Sequence, residues 1–250
     1  MDRAHVPINA LSPPFSDVYA FTHFNRFQSE CFDDIYLTDS NMVISAPTAS
    51  GKTVLLELAI FRLFGMTSTY GATKKALYLA PLKALCAEKA ADWHSKFAVC
   101  GLRCVELVGE NTAGSVRQAK ERTKGDITIF NAHVICATPE KWLSTTESLA
   151  LGTSLQSSID LLLLDECHMV GTSRGAFLEL AVASVRQHSR KLRVVATSAT
   201  ISNISDISEW LSSSTNSPDN SILTVPAKTC VFGPDSAPKQ MCYNGNNIKR

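Results

Sequence analysis

Between residues 42 and 211 short runs of apolar residues alternate with longer stretches in which apolar positions recur every three to four residues. The runs Met42–Ser45, Ala76–Ala80, Cys104–Val108, Val134–Ala137, Leu161–Leu164 and Leu192–Thr197 read as strands. Each is followed by a helix-like stretch, over 53–64, 82–97, roughly 114–124, 140–149, 175–188 and 204–211. Strands such as Leu161-Leu162-Leu163-Leu164 are apolar throughout instead of alternating, as expected where helices cover both faces of a parallel sheet. The expected fold is therefore α/β with a doubly wound, mostly parallel sheet. Right-handed crossovers place the carboxyl ends of such strands along one edge, where ligands collect.

The flanks are patterned differently. Residues 1–24, with Pro7, Pro13, Pro14 and several exposed-looking aromatics, read as an irregular lead-in, and Gln28–Leu37 reads as helix. After Leu211 the period dissolves into Ser212-Ser213-Ser214-Thr215-Asn216-Ser217-Pro218, so the expected domain spans 25–212 and residues 213–250 form a linker or truncated tail. No internal repeat and no heptad pattern is visible.

Composition narrows the class. The 250 residues carry 24 Lys+Arg against 23 Asp+Glu, a formal charge of +1, so there is no global basic field and any nucleic-acid groove must be local. The eight cysteines form no C-x-x-C pair and no zinc-like spacing, and most read as reduced core thiols. The start lacks an apolar signal core and no run approaches the ~18 apolar residues of a membrane span. A reducing compartment, cytoplasm or nucleus, is expected, with no membrane partner.

Candidate chemistry gathers at the strand ends. Ala46-Pro47-Thr48-Ala49-Ser50-Gly51-Lys52-Thr53 joins the first strand to a helix and reads as a phosphate-binding loop, although Ala46 stands where the G-x-x-x-x-G-K-[ST] pattern has Gly. Its backbone N–H groups and the helix N-terminus would face an anion, Lys52 would reach the β- and γ-phosphates, and the Thr53 hydroxyl would take a position on Mg²⁺. Asp165-Glu166-Cys167-His168 follows the all-apolar strand: Asp165 suits the metal and Glu166 the attacking water. Cys167 reads as a packed thiol, and His168 as a residue that could bridge the nucleotide site to a neighbouring strand end. Ser198-Ala199-Thr200 closes the next strand with two hydroxyls; on its own it also suits a helix N-cap.

Taken in order, the phosphate loop, Ala80-Pro81-Leu82-Lys83-Ala84-Leu85, Ala137-Thr138-Pro139-Glu140-Lys141-Trp142, the acidic box, Arg174-Gly175 and Ser198-Ala199-Thr200 resemble motifs I to III of superfamily-two helicases of the DExH type, over roughly residues 20–212. The Pro-Leu-Lys-Ala-Leu and Thr-Pro-Glu-Lys-Trp forms are similar to the Ski-type branch. Phe24-Asn25-Arg26-Phe27-Gln28-Ser29 with Cys31-Phe32-Asp33-Asp34-Ile35-Tyr36 most resembles its meiotic crossover DNA helicases.

The resemblance implies a RecA-like P-loop NTPase domain that uses ATP and Mg²⁺ to drive movement on single-stranded DNA and duplex unwinding, in the nucleus, with other recombination proteins as possible partners. It assigns Gln28 to adenine, Lys83 and Thr138 to phosphates of the tracked strand, and Ser198 with Thr200 to coupling. Arg117, Lys120 and Lys124 share a helical face that could extend the groove or simply be solvated. Ala49 replaces the commoner Gly of the loop, tolerable if that position does not require positive φ. No Gln-x-x-Gly-Arg-x-Gly-Arg box of a second RecA-like domain is present, so the expectation is a fragment, short isoform or truncated gene model. An RNA helicase of the same branch, and a catalytically incomplete nucleotide-binding or interaction module, are the alternatives.

Overall fold

The computed structural model describes residues 5–65, 74–107, 129–148, 152–172, 175–189, 191–199, 204–212 and 228–231. In chain order their strands are β1 (Met42–Ser45), β2 (Lys75–Leu79), β3 (Cys104–Glu106), β4 (Val134–Ala137), β5 (Ile159–Leu164), β6 (Arg193–Ser198) and β7 (Lys228–Val231). Helix Arg26–Phe32 precedes them, and helices Lys52–Gly65, Lys83–Lys96, Pro139–Ser148, Gly152–Ser157, Gly175–His188 and Ile204–Ser212 run between them. The β1/β6, β1/β7, β2/β4 and β3/β4 pairs are all parallel, giving the α/β class expected. The expected helix over 114–124, with Arg117, Lys120 and Lys124, lies outside the described residues, as do Arg174 and Thr200.

The chain forms two compact units, and β5 begins in one and ends in the other. The first unit contains the lead-in, the phosphate loop, Leu163–His168 and the chain from Arg193 onward. Its strand order is β6-β1-β7, with the end of β5 next to β6. The Lys52–Gly65 helix buries Leu55, Leu56, Leu58, Ala59, Ile60 and Phe61, so it is packed on nearly every side, and each large apolar side chain contributes about 1.5–3 kcal/mol by leaving water.

Three features of this unit depart from the sequence reading. The lead-in aromatics are not all exposed: Phe15 and Phe24 are buried, Phe15 stacks on Phe61 at 4.8 Å, and the Tyr19 hydroxyl donates to the fully buried Glu57 carboxylate at 2.8 Å. The helix expected over 28–37 starts earlier, at Arg26, and passes into a π-helical turn over Asp33–Leu37. That turn is held by Arg193, whose guanidinium donates to the carbonyls of Ile35 (2.8 Å) and Ser40 (3.0 Å). Finally, Lys228–Val231, read as tail, is a strand in register with β1.

The second unit spans Thr73–Leu162 and Met169–Leu192, with strand order β3-β4-β2 and the start of β5 next to β2. The Lys83–Lys96 helix packs on β3 and β4, with Trp93 stacked on Phe97 and edge-on to Tyr78. Pro139–Ser148, Gly152–Ser157 and Gly175–His188 pack on one another. The short helix Gly152–Ser157 has no counterpart in the sequence reading; a Cβ on Gly152 would run into the Thr146 carbonyl, so only glycine permits that approach. Lys75 is buried and donates to the carbonyls of Phe130 (2.7 Å) and Ala132 (2.6 Å); burial, reinforced by the nearby Arg103, pulls its ammonium down to about 8.

Candidate active site

All of the candidate nucleotide residues within the described chain fall in the first unit. The loop leaves β1 attached to the end of β6: the Ala46 N–H donates to the Ser198 carbonyl (3.2 Å) and the Ser45 hydroxyl to the Ala199 carbonyl (3.1 Å). Ala46 is buried, Pro47 half-buried, and Thr48 and Ala49 exposed. Ala49 and Gly51 both take positive φ, +62° and +93°. Such left-handed residues curl successive N–H groups toward one concave face, the geometry of an anion-binding nest. The condition under which Ala49 would be innocuous, a negative φ, is therefore not met, and the Cβ sits in the left-handed region at a cost.

The helix then begins at Lys52 with Thr53 in its first turn, where backbone N–H groups have no partner within the helix. The Ser50 hydroxyl is buried and makes no hydrogen bond. Lys52 Nζ donates to the carbonyls of Ala46 (2.7 Å) and Pro47 (2.9 Å). Burial pushes its pKa below the usual range, while the carboxylates of Glu166 and then Asp165 pull it back up.

The acidic pair emerges where β5 ends. Asp165 Oδ1 accepts from the Thr197 hydroxyl (2.8 Å) and from the Glu166 N–H (3.1 Å). Glu166 has φ +54°, a second non-glycine residue in the left-handed region. Its Oε2 is buried without a hydrogen bond, and His168 Nδ1 lies 3.1 Å away. The same Nδ1 lies 3.2 Å from the Ser198 hydroxyl, so His168 stands between the acidic pair and β6, the bridging position expected of it. Cys167 is a buried free thiol whose pKa is pushed up to about 12 by burial and then by Asp165 and Glu166, which leaves it inert as a nucleophile.

Gln28 is buried, and its amide serves the loop and its own helix. Oε1 accepts from the Asn25 N–H (3.0 Å) while the Gln28 N–H donates to Asn25 Oδ1 (2.8 Å), a reciprocal capping box. Gln28 Nε2 donates to the Gly51 carbonyl (3.3 Å) and Asn25 Nδ2 to the Ser50 carbonyl (3.1 Å). Two side-chain amides thus hold two successive loop carbonyls.

Lys83 and Thr138 belong to the second unit, where they follow the paired ends of β2 and β4. Lys83 is exposed at the start of a helix whose N-cap, Leu82, offers no side-chain bond. Thr138 is buried, and its hydroxyl accepts from the Lys141 N–H at 3.4 Å as an N-cap. Among the described residues no group of three or more His, Cys, Asp or Glu could hold a metal, and no helix is long and apolar enough to cross a membrane.

Sequence reasoning assigned no role to Thr197, Asn25 or Ser45. Thr197 was detectable as the one hydroxyl side chain in the expected strand Leu192–Thr197, directly after Val194-Val195-Ala196 and immediately before Ser198. Asn25 was detectable as an N-cap from the Asn-x-x-Gln spacing to Gln28, whereas its bond to the Ser50 carbonyl and the bond of Ser45 depend on tertiary placement.

Residues 25–207 match the family described as DEAD/DEAH box helicase. The chain is 41% identical over 220 residues to the ATP-dependent DNA helicase MER3 homolog of Oryza sativa subsp. japonica, covering 80% of this chain and 17% of that protein. It is 42% identical over 205 residues to the probable ATP-dependent DNA helicase HFM1 of Homo sapiens, covering 77% and 14%. With the activating signal cointegrator 1 complex subunit 3 of Danio rerio the identity is 37% over 217 residues, 84% and 13%. The chain thus spans less than a fifth of the length of these curated relatives. Among solved structures, Mss116p bound to ssRNA and AMP-PNP has a TM-score of 0.71 at 17% identity, over 92% of this chain and 46% of that one. Mycobacterium smegmatis Lhr bound to ssDNA and AMP-PNP gives 0.67 at 22%, over 92% and 28%. At these identities the structures establish the fold, which is that of RecA-like helicase domains. Since the family match runs unbroken from the Asn25 cap through the loop, the acidic pair and the end of β6, the chain belongs to the DEAD/DEAH box helicase family.

Proposed function

We propose that this chain is the ATP-binding motor domain of an ATP-dependent DNA helicase that moves on single-stranded or branched DNA, in the nucleus and in meiotic recombination. The relatives named as DNA helicases, MER3 homolog and HFM1, favour DNA over RNA. The nucleotide domain is taken as residues 25–212, flanked by the lead-in and by residues 213–250.

One observation carries the reading: a single strand end joins both halves of a phosphoryl-transfer site. Ser198 and Ala199 hold the phosphate loop at Ala46 and Ser45, while Thr197 and Ser198 hold Asp165 and His168. The donor set also fits a Mg²⁺-bound triphosphate. A nest with two left-handed residues, a Ser50 hydroxyl without a hydrogen bond and a Glu166 oxygen that has only the His168 ring beside it leave polar capacity free for such a ligand. Thr53 and Asp165 would hold Mg²⁺, which neutralises charge on the phosphates when bound. Lys52 exchanges its two loop carbonyls for phosphate oxygens. Glu166 accepts the proton of the attacking water, Gln28 contacts adenine, and His168 with Ser198 and Thr200 carries the hydrolytic state to β6. Lys83 and Thr138 grip strand phosphates, a contact indifferent to base identity and weakened by salt.

The test is ATP turnover by the chain joined to a second RecA-like domain, measured alone, with a DNA strand and with an RNA strand of the same sequence. Stimulation by DNA supports the proposal. Stimulation by RNA alone would move the protein to the RNA branch, and saturable nucleotide binding with no turnover under any condition would make it a binding module.

A further inference from the structure

Thr197 lies at the penultimate position of β6, fully buried, with two acceptors within reach of one hydroxyl proton. The Leu164 carbonyl is 3.3 Å away and Asp165 Oδ1 2.8 Å. The shorter contact, to a carboxylate, is the stronger of the two. Oδ1 also receives the Glu166 N–H at 3.1 Å, so turning the carboxylate about its last torsion would break two bonds at once. The hydroxyl cannot follow such a turn, because Thr197 is fixed in parallel register with Ile44 of β1 and its χ1 is restricted by β-branching.

We propose that Thr197 is a positioning residue for the divalent cation: by anchoring Oδ1 it fixes the plane in which Asp165 presents its carboxylate to the metal. The inference rests on the nucleotide reading above and adds to it a residue outside the recognised motifs. Partners behind a metal ligand orient it and tune its basicity, and their loss lowers metal affinity without abolishing the site. Valine preserves the branched shape of Thr197 and removes only the hydroxyl; serine keeps the hydroxyl and removes a methyl.

The experiment is calorimetric binding of AMP-PNP to residues 1–250, in EDTA and across a Mg²⁺ series, for the parent, Thr197→Val and Thr197→Ser. The expected result for Thr197→Val is unchanged affinity in EDTA and a Mg²⁺ concentration for half-enhancement raised about tenfold, the low end of second-sphere effects. Thr197→Ser should restore most of the parental Mg²⁺ response, which a purely space-filling role would not predict. A Mg²⁺ series for Thr197→Val that superimposes on the parent overturns the inference and leaves the nucleotide site standing. An equal loss with and without Mg²⁺ also overturns it, since the hydroxyl would then be holding the fold. If the parent itself binds AMP-PNP without any response to Mg²⁺, or not at all, the functional reading falls and this inference with it.

Discussion

Lys52 closes the phosphate loop on itself: its ammonium lies 2.7 Å from the carbonyl of Ala46, the residue that stands where the loop pattern has glycine. A second bond, to Pro47, leaves the cation oriented by the backbone, which under the proposed function it would partly exchange for phosphate. Lys52→Ala removes that countercharge. A hydrogen bond to a charged group is worth about 2 kcal/mol, so nucleotide affinity should fall by roughly 30-fold or more, read by calorimetry with Mg²⁺ present. Unaltered affinity would remove the loop from the nucleotide site.

Glu166→Gln keeps the size of the side chain and its ability to hydrogen-bond water, and loses only the proton acceptor. Binding of AMP-PNP with Mg²⁺ should persist while strand-stimulated turnover, measured with the chain joined to a second RecA-like domain, drops by about 10²–10⁴-fold. Turnover at the parental rate would rule Glu166 out as the base.

Ala49→Gly should stabilise the protein. The +62° backbone angle costs an alanine more than the extra freedom that glycine brings to the unfolded chain, and the net gain is about 1 kcal/mol. Urea denaturation with an unchanged m-value checks it; a lower midpoint would show that the alanine methyl makes a contact that outweighs the strain.

Lys75 gives the stability curve a pH dependence. Its pKa in the fold is about 8, against the ordinary lysine value of 10.5. Below about 8 both states carry the proton and the burial penalty is present in full. Between about 8 and 10.5 the unfolded chain binds more protons than the folded one, so stability contributed by this group rises with pH. In Lys75→Met that rising component should vanish, seen as a flatter difference between denaturation midpoints at pH 7.5 and pH 10 than in the parent. A parallel pair of curves would place the titration elsewhere.

How much of this was legible in the sequence depended on how local the cause was. The run Leu161–Leu164 followed by two carboxylates is a strand ending at a charged edge, and both features are local. The same holds for β1 and the loop after it. Residues 228–231 escaped because Lys-Thr-Cys-Val is short and mixed, and among the described residues this strand pairs on one side only. The sign of φ at Ala49 is not written in an alanine; it follows from the path between Pro47 and the helix. The prolines of the lead-in correctly signalled irregular backbone, but irregular did not mean exposed, since Phe15 is buried against Phe61, far along the chain, and Phe24 among Tyr19, Phe21 and Phe32. The Gln28 amide could be singled out in the sequence, whereas its bond to the Gly51 carbonyl required the loop to be seen beside it.

That wedge of aromatic residues has a practical side. The family match starts at residue 25, which invites trimming the protein there for expression. Such a cut would uncover the ring of Phe61 and deprive Glu57, fully buried in the middle of the helix that carries Lys52, of its Tyr19 donor. A boundary drawn by homology would then fall through the hydrophobic core, and a shortened protein that failed to hold nucleotide would be reporting on lost packing behind the loop instead of on the chemistry in front of it.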